Sequence, residues 1–155
     1  MSIEDDILAI ERVPTLRMLG RDALRILAIG AESRYVHKGD VLFVTGEVAD
    51  CGYIVQEGSF RLESNSKKLP DVIVGAGALL GELALIAETK RPATATASEP
   101  STVIRISRSL FLKMLEGYPQ AAQILREQIV VRAQQALTEM SDVRALFDTS
   151  STVPR

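Results

Sequence analysis

Residues 77–97 of the chain read GALLGELALIAETKRPATATA, and this stretch carries most of the information on fold and site. Glycines at positions 77 and 81 let the backbone turn and approach a ligand closely. Residues 83–86 can form one helical turn whose free N–H groups point back toward Gly81, which is the geometry of an anion site. Arg91 begins a strand-like run five residues later, so the loop closes back and brings its guanidinium to the same place. The stretch therefore predicts a site for a negatively charged group.

Glu82 lies directly beside this predicted anion site. An ionised carboxylate only accepts hydrogen bonds, so Glu82 suits a sugar hydroxyl and would repel a bare phosphate. Arg91 suits the phosphate because its planar guanidinium donates two parallel, charge-assisted hydrogen bonds. Together these residues predict a phosphorylated sugar as ligand. A structural alternative remains, in which the glycines serve a barrel corner, residues 83–86 fill the core, and Glu82 and Arg91 form an ordinary ion pair.

The chain around this stretch has the rhythm of short strands. From about Arg34 to Ile106, short runs rich in Val, Ile, Leu, Tyr and Thr alternate with turn signals that contain Gly or Pro. No helix in this region is long enough for a βαβ crossover, so the pattern predicts an antiparallel barrel or jelly roll. The expected fold class is mainly β with flanking helices.

Helical spacing of apolar residues flanks the barrel on both sides. Residues 3–30 predict two short helices with a turn at Val13-Pro14-Thr15 between them, and Gly30 is the expected end of the second. Helices are also expected over about 108–147, with a break at Tyr118-Pro119 and then one long helix. We therefore expect one domain over residues 1–148 and a frayed tail at 149–155.

The long C-terminal helix carries an apolar seam at spacings of three or four. This seam would either cover the barrel or pair with a second copy of itself in a homodimer, and the sequence favours neither. The seam consists of Leu125, Ile129, Ala136, Met140, Val143 and Phe147.

Composition argues against several classes of protein. A formal net charge of −2 gives no general attraction to nucleic acid, so direct nucleic-acid binding is not expected. No apolar run approaches the roughly 18 residues that span a bilayer, and the N-terminus is acidic, which predicts a cytoplasmic protein without a membrane span. One cysteine, Cys51, and one histidine, His37, are too few for a metal centre or a convincing nucleophile and base, so no enzyme is expected. Cys51 is interpreted as a small strand residue and His37 as a solvated loop residue.

The motif Gly81-Glu82-Leu83-Ala84-Leu85, followed by Arg91-x-Ala93-Thr94, resembles the phosphate-binding cassette of cyclic nucleotide-binding domains. Such domains occur in kinase regulatory subunits, bacterial catabolite activators and cyclic-nucleotide-gated channels. The resemblance implies an eight-stranded jelly roll flanked by helices, with a cyclic nucleotide, cAMP or cGMP, as its ligand and no metal. Further matching segments are Val13-Pro14-Thr15-Leu16, His37-Lys38-Gly39-Asp40, Gly46-Glu47, Tyr53-Ile54-Val55 and Glu57-Gly58.

The resemblance also implies roles for individual residues. It implies that the arginine contacts the exocyclic phosphate oxygens, that the glycine and the glutamate hold the ribose, and that the alanine amide caps the phosphate. The assigned residues are Arg91, Ala84, Pro92 and Ala93 for the phosphate, Gly81 and Glu82 for the ribose, and Leu79 and Leu80 for the base.

Two positions depart from the family pattern. Leu80 stands where relatives usually have Phe, which is a tolerable exchange in a core. Pro92 stands where many relatives have Ala, Ser or Thr, and proline offers neither a backbone N–H nor a hydroxyl. One phosphate contact is therefore lost. Because relatives use a Thr hydroxyl to favour guanine, cAMP is expected over cGMP.

A bound base also needs a cover, and the helix after Pro119 is the expected one. Arg126, Arg132 and Gln135 are the polar residues on this helix able to reach a base. By its distance from Pro119, Arg132 matches an arginine that stacks on the purine in bacterial channel domains, as a guanidinium does on a π-face. The alternative for Arg132 is a solvated helix charge.

The favoured function is a regulatory module that binds a cyclic nucleotide and signals to an unknown effector protein through movement of its C-terminal helix. One alternative is a degenerate fold that serves as a protein-interaction module. Another is the sensor fragment of a catabolite-activator-like transcription regulator, since no helix-turn-helix fits into the short polar tail after Phe147. A cupin-like enzyme would need a cluster of histidines, which a single His cannot supply.

Overall fold

A computed structural model of the chain describes residues 3–64, 70–128 and 131. Three helices precede the strands: α1 (Ile3–Glu11), α2 (Pro14–Arg17) and α3 (Arg21–Gly30). The expectation of two helices joined by a turn is wrong, because the turn contains a short helix of its own. Pro14 lies at the start of α2, where its fixed φ suits the first helical position and its missing N–H is not needed.

Ten short strands follow these helices in the described part of the chain. The strands are β1 (Glu32–Val36), β2 (Val41–Phe43), β3 (Val48–Ala49), β4 (Cys51–Glu57), β5 (Ser59–Ser64), β6 (Val72–Gly75), β7 (Leu79–Leu80), β8 (Thr89–Lys90), β9 (Ala93–Ala97) and β10 (Ser101–Ser107). A 3₁₀ helix (Glu82–Leu85) lies between β7 and β8, and α4 (Arg108–Gly117) follows β10.

The strands form two four-stranded antiparallel sheets. The first sheet has the order β1-β10-β4-β7, the second has the order β2-β9-β5-β6, and β3 pairs separately with β8. In the first sheet Ile104 of β10 lies opposite Ile54 of β4, and in the second Phe60 of β5 lies opposite Ala97 of β9. The architecture is an antiparallel jelly roll with flanking helices, which confirms the predicted fold class.

The central strands of the first sheet, β4 and β10, are buried on both faces. Alternate residues of a strand point to opposite faces. On β4, Tyr53 and Val55 join a core cluster that also contains Phe43 and Phe60 of the second sheet. Ile54, which lies between them, joins the cluster formed with the helices. The helices are thus packed on one face of the first sheet, and the second sheet covers the other face.

A helix over residues 119–128 follows α4. Its apolar residues Ala121 and Leu125 are buried in the cluster between the helices and the first sheet. Leu125 is therefore the one seam position within the described residues, and it packs on its own domain. Ile129, Ala136, Met140, Val143, Phe147, the base-stacking candidate Arg132, Gln135 and the tail at 149–155 lie outside the described residues.

Among the helices of the described ranges, none combines the length and the apolar character needed to cross a membrane.

Candidate functional site

A cavity of about 370 Å³ opens where β7, the 3₁₀ helix, β8 and the start of β9 meet. This volume lies in the range of small-molecule sites. Apart from the base candidate Arg126, every predicted site residue that the structure describes lines this cavity. These residues are Leu79, Leu80, Gly81, Glu82, Ala84, Arg91, Pro92 and Ala93. The stretch that the sequence singled out is thus gathered around one space.

Arg91 is buried at the cavity, with only 5% of the residue exposed. Its Nη2 atom donates hydrogen bonds to the backbone oxygen of Cys51 at 2.9 Å and to the Cys51 sulfur at 3.3 Å. Its Nη1 atom is buried and has no hydrogen-bond partner within the described residues. A buried donor without a partner is costly, and more so when it carries charge. The guanidinium is thus half satisfied by the protein and half available to a ligand.

Two aromatic rings lie against the same guanidinium. The Cζ atom of Arg91 is 4.4 Å from the centroid of the Phe43 ring and 5.5 Å from that of Tyr53. These two rings are themselves stacked, with centroids 6.0 Å apart. A cation is attracted to the face of an aromatic ring, more strongly when water is excluded. The rings therefore make the burial of this positive charge less unfavourable.

The backbone at position 91 is fixed by the loop that joins β2 to β3. The Arg91 N–H donates to the Glu47 carbonyl at 2.8 Å, and the Gly46 N–H donates to the Arg91 carbonyl at 2.8 Å. Three residues further on, the Thr94 hydroxyl accepts a hydrogen bond from the Thr45 N–H at 3.0 Å. The arginine is thereby held at the cavity by both its main chain and its side chain.

Gly81 forms a tight turn beside the Arg91 guanidinium. Its φ of +82° is a left-handed conformation that favours glycine, and it precedes the 3₁₀ helix. The Ala84 N–H, which the resemblance assigns to the phosphate, donates to the Gly81 carbonyl at 3.1 Å. A phosphate at this position would have to share or replace that bond.

Glu82 and two cations give the cavity its electrostatic character. Glu82, Lys90 and Arg91 all line it, and the Glu82 side chain has a buried carboxylate oxygen. The alternative interpretation paired Glu82 with Arg91 in an ordinary ion pair. Within the described residues, however, the hydrogen bonds that the guanidinium donates go to Cys51. The arrangement places one acceptor-only group and two positive charges around a space that is otherwise mostly apolar.

Tyr53 lies behind the guanidinium and is kept neutral. Burial raises the pKa of the Tyr53 hydroxyl, and a hydrogen bond with Cys51 raises it further. A neutral phenol beside Arg91 leaves the positive charge of the guanidinium uncompensated.

Sequence reasoning missed the residues that surround Arg91. Phe43, Cys51 and Tyr53 come from strands far away in the chain, and Lys90 directly precedes Arg91. Lys90 could have been found from its position next to Arg91. The other three carry no local signal, because only the pairing of the strands brings them to this place.

Cys51 and His37 do not come together as a nucleophile and base. Cys51 is a buried strand residue bonded to Arg91, whereas the exposed His37 lies 3.6 Å from the Asp40 carboxylate and packs edge-on against Tyr35. The described ranges contain no group of three or more His, Cys, Asp or Glu residues placed to hold a metal ion. Arg126, one of the candidates for the base, is exposed and does not line the cavity.

A family model described as the cyclic nucleotide-binding domain matches residues 33–118. This match spans the barrel, the cavity and α4, and it covers more than half of the chain. The chain therefore belongs to the cyclic nucleotide-binding domain family. This is a family of regulatory domains, and it includes receptors and channels of otherwise different construction.

Three similar proteins place the chain within this family. A cyclic nucleotide-binding-like protein of Brucella abortus has a structure with a TM-score of 0.64 at 42% identity, covering 72% of this chain and 98% of that one. A cyclic nucleotide-gated potassium channel of Mesorhizobium japonicum is 29% identical over 120 residues, which is 77% of this chain and 33% of the channel. The cyclic AMP receptor protein of Thermus thermophilus is 26% identical over 112 residues, which is 70% of this chain and 52% of the receptor. The chain thus spans about a third to a half of these two curated relatives.

Proposed function

We propose that this chain binds a 3′,5′-cyclic nucleotide in the cavity, with the cyclic phosphate on the Nη1 atom of Arg91. The observation that carries the proposal is that this atom is buried, charged and without a hydrogen-bond partner among the described residues, at the wall of a cavity of suitable size. An anionic oxygen at Nη1 would complete the hydrogen bonding of the guanidinium and neutralise its charge.

The other cavity residues fit the rest of such a ligand. Glu82 would accept the hydrogen bond of the ribose 2′-hydroxyl, beside the backbone of Gly81. Leu79 and Leu80 offer the apolar surface on which a base would rest. Pro92 and Ala93 would contact the phosphate through packing and the Ala93 amide, since proline has no N–H. We keep Arg132 as the proposed residue that stacks on the base.

The preferred nucleotide is proposed to be cAMP. Pro92 has no hydroxyl with which to favour guanine, and a cyclic AMP receptor protein is among the relatives. A ligand of roughly 20 non-hydrogen atoms at about −0.3 kcal/mol per atom would bind with a free energy of about −6 to −7 kcal/mol. This corresponds to a Kd on the order of ten to tens of micromolar.

Calorimetric titration of the purified chain with cAMP and cGMP tests the proposal. Binding of at least one nucleotide at micromolar Kd or tighter is expected, and Arg91→Ala should weaken it by about tenfold or more, because a charge-assisted contact is lost. Arg61→Ala is the matched control, since Arg61 is half exposed on β5 and pairs with Glu63. Absence of binding to both nucleotides would reject the proposal in favour of a protein-interaction module.

We further propose that the domain signals to an effector protein through the helix that follows Pro119. Leu125 of this helix lines a narrow gap with Glu82, Leu85 and Ile86 of the 3₁₀ segment. Leu85 and Leu125 also share one core cluster. A ligand that shifts Glu82 would therefore change the packing surface on which this helix rests, which is the differential contact that a switch needs.

Amide hydrogen exchange of the ligand-free and the cAMP-saturated chain tests this signalling step. Exchange over residues 119–128 should change on binding, whereas α1, which does not line the cavity, should stay unchanged. Leu125→Ala should reduce the response of the helix while the chain still binds cAMP. Unchanged exchange of residues 119–128 at saturation would contradict the proposal. The effector, a homodimer through the C-terminal helix, the absence of direct nucleic-acid binding, the lack of enzymatic activity and a cytoplasmic location stay predictions.

A further inference from the structure

Within the described residues, the hydrogen bonds that the Arg91 side chain donates all go to a single residue, Cys51 of β4. The backbone oxygen and the sulfur of Cys51 both accept from Nη2 of Arg91, at 2.9 and 3.3 Å. Cys51 begins β4 and is only 2% exposed, and its backbone is paired with Ser107 of β10. Two acceptors on one rigid strand therefore define where Nη2 must lie.

Fixing Nη2 also fixes Nη1, because the guanidinium is planar. One acceptor would still leave the group free to pivot about the Nη2 atom. Two acceptors, together with the rings of Phe43 and Tyr53 against the group, leave a single orientation. In that orientation Nη1 lies beside Gly81 at the wall of the cavity. Preorganised donors of this kind do not need to reorder when an anion arrives.

The residue type at position 51 matters for this geometry. Alanine would keep the backbone acceptor but lose the one on the side chain. Serine would keep a side-chain acceptor, although its C–O bond is shorter than the C–S bond of cysteine. Valine would add a methyl group within a packed core, where extra volume is destabilising. A thiol is small, tolerates burial and accepts weakly, so it can serve the core and the arginine together.

We propose that Cys51 is a positioning residue that fixes the guanidinium of Arg91 so that Nη1 faces the ligand cavity. This inference rests on the proposed cyclic nucleotide site and names the residue that orients its phosphate contact. Cys51 itself touches no ligand, because it does not line the cavity.

The first test needs no ligand. Nitrogen-15 NMR of the arginine side chains reports rotation of each guanidinium, and Arg91→Lys identifies the Arg91 signals by their disappearance. In the wild-type chain the two Nη atoms of Arg91 should give separate signals. Cys51→Ala should merge or broaden them, and Cys51→Ser should keep them apart. Separate, unchanged Arg91 signals in Cys51→Ala would overturn the proposal whether or not a nucleotide binds.

The second test is a double-mutant cycle measured by cAMP titration. Cys51→Ala should weaken binding by about three- to tenfold, the range of one ordinary hydrogen bond. Cys51→Ser should recover most of this loss. In an Arg91→Ala background, Cys51→Ala should change the Kd by less than about twofold, because its partner is gone. An equal loss in both backgrounds would overturn the positioning role.

Val103→Ala is the control for general loosening of the core, since Val103 is buried in the same cluster as Cys51. It should lower the stability at least as much as Cys51→Ala and leave the Kd within about twofold of wild type. An equal effect of Val103→Ala on the Kd would also count against the proposal. If the NMR result is as expected and no nucleotide binds, the proposed ligand fails while the orientation of Arg91 by Cys51 is supported.

Discussion

The Nη1 atom of Arg91 occupies the space that a side chain at position 81 would need. A Cβ atom added to Gly81 would overlap Nη1 and would lie 3.2 Å from the Cys51 carbonyl oxygen. Gly81 also has a φ of +82°, which other residues adopt only with strain. Position 81 is thus restricted to glycine both by its own backbone and by the arginine that faces it.

Replacement of this glycine should therefore affect ligand binding beyond its effect on stability. We expect Gly81→Ala to lower the free energy of unfolding by about 1–2 kcal/mol through backbone strain. Because the new methyl group also displaces Nη1, cAMP binding should weaken by about tenfold or more in the same titration. Gly20→Ala is the matched control: its φ is +94°, and an added Cβ meets no described atom within 4 Å. A comparable loss of affinity in the control would show that strain alone is responsible.

Pro92 offers a gain-of-function test. Pro92→Ala would restore a backbone N–H at the cavity, next to the position proposed for the phosphate. We expect the Kd for cAMP to fall by about two- to tenfold, the range of one added hydrogen bond. Pro100→Ala, in an exposed turn that does not line the cavity, should leave the Kd unchanged. Weaker binding by Pro92→Ala would mean that the fixed φ of proline matters more than the missing donor.

Gly58 is required by the turn between β4 and β5. It has a φ of +91°, and an added Cβ would overlap the Oγ atom of Ser101. That hydroxyl accepts from the Ser59 N–H at 3.1 Å and donates to the Glu99 carbonyl at 2.8 Å. Strain and overlap add, so Gly58→Ala should lower the free energy of unfolding in urea by about 2 kcal/mol or more.

Gly39→Ala separates the two causes at Gly58. Gly39 has a φ of +88°, and an added Cβ meets no described atom within 4 Å. Gly39→Ala should therefore show the effect of backbone strain alone. Its loss of unfolding free energy should be smaller than that of Gly58→Ala by about 1 kcal/mol. Equal losses at the two positions would show that Ser101 moves aside without cost.

The shifted pKa of the Asp6 carboxyl predicts a specific pH dependence of the unfolding free energy. Burial raises the pKa of the Asp6 carboxyl above its ordinary value of 3.8, although a hydrogen bond from Gln56 opposes the shift. A raised pKa means that the folded state favours the neutral acid. The stability that this group contributes is therefore present below pH 3.8 and is lost as the pH rises through the folded pKa.

Asp6→Asn removes this titration. We expect the difference in unfolding free energy between Asp6→Asn and wild type to move in favour of the variant between about pH 3 and pH 7. Urea unfolding at several pH values measures it. Asp22→Asn, at an exposed position in the first turn of α3, controls for the loss of a charge from a helix start. Parallel pH profiles of Asp6→Asn and wild type would contradict the assignment.

The fold could be predicted from the sequence to the level of its elements. Runs of apolar and β-branched residues identified the barrel, and turn signals gave its antiparallel class. Details that depend on packing could not be read in this way. The two-residue strands β3, β7 and β8 are too short for a periodic pattern. The strand β4 is buried over five consecutive residues, so its sequence does not reveal which side chains face the helices.

The same distinction between local sequence signals and packing applies to the candidate site. Gly81, Glu82 and Arg91 lie within one short stretch, so their chemistry and spacing predicted a shared cavity. The partners of Arg91 come from elsewhere: Phe43 from β2 and Cys51 from β4. Neither residue type suggests an arginine contact, and only the assembled sheets bring them to it. The sequence therefore pointed to Arg91 as the phosphate-binding residue, but it could not give the orientation of its guanidinium.

The hydrogen bond between Arg91 and Cys51 joins positions 40 residues apart. A contiguous fragment shorter than that separation cannot contain both Arg91 and Cys51. A partly unfolded domain in which the strand of Cys51 or the segment of Arg91 has detached has also lost this hydrogen bond. Nucleotide capture would therefore report on the intact tertiary assembly as a whole. A nucleotide bound as proposed would therefore stabilise the fully folded chain and none of the partly folded forms that lack this contact.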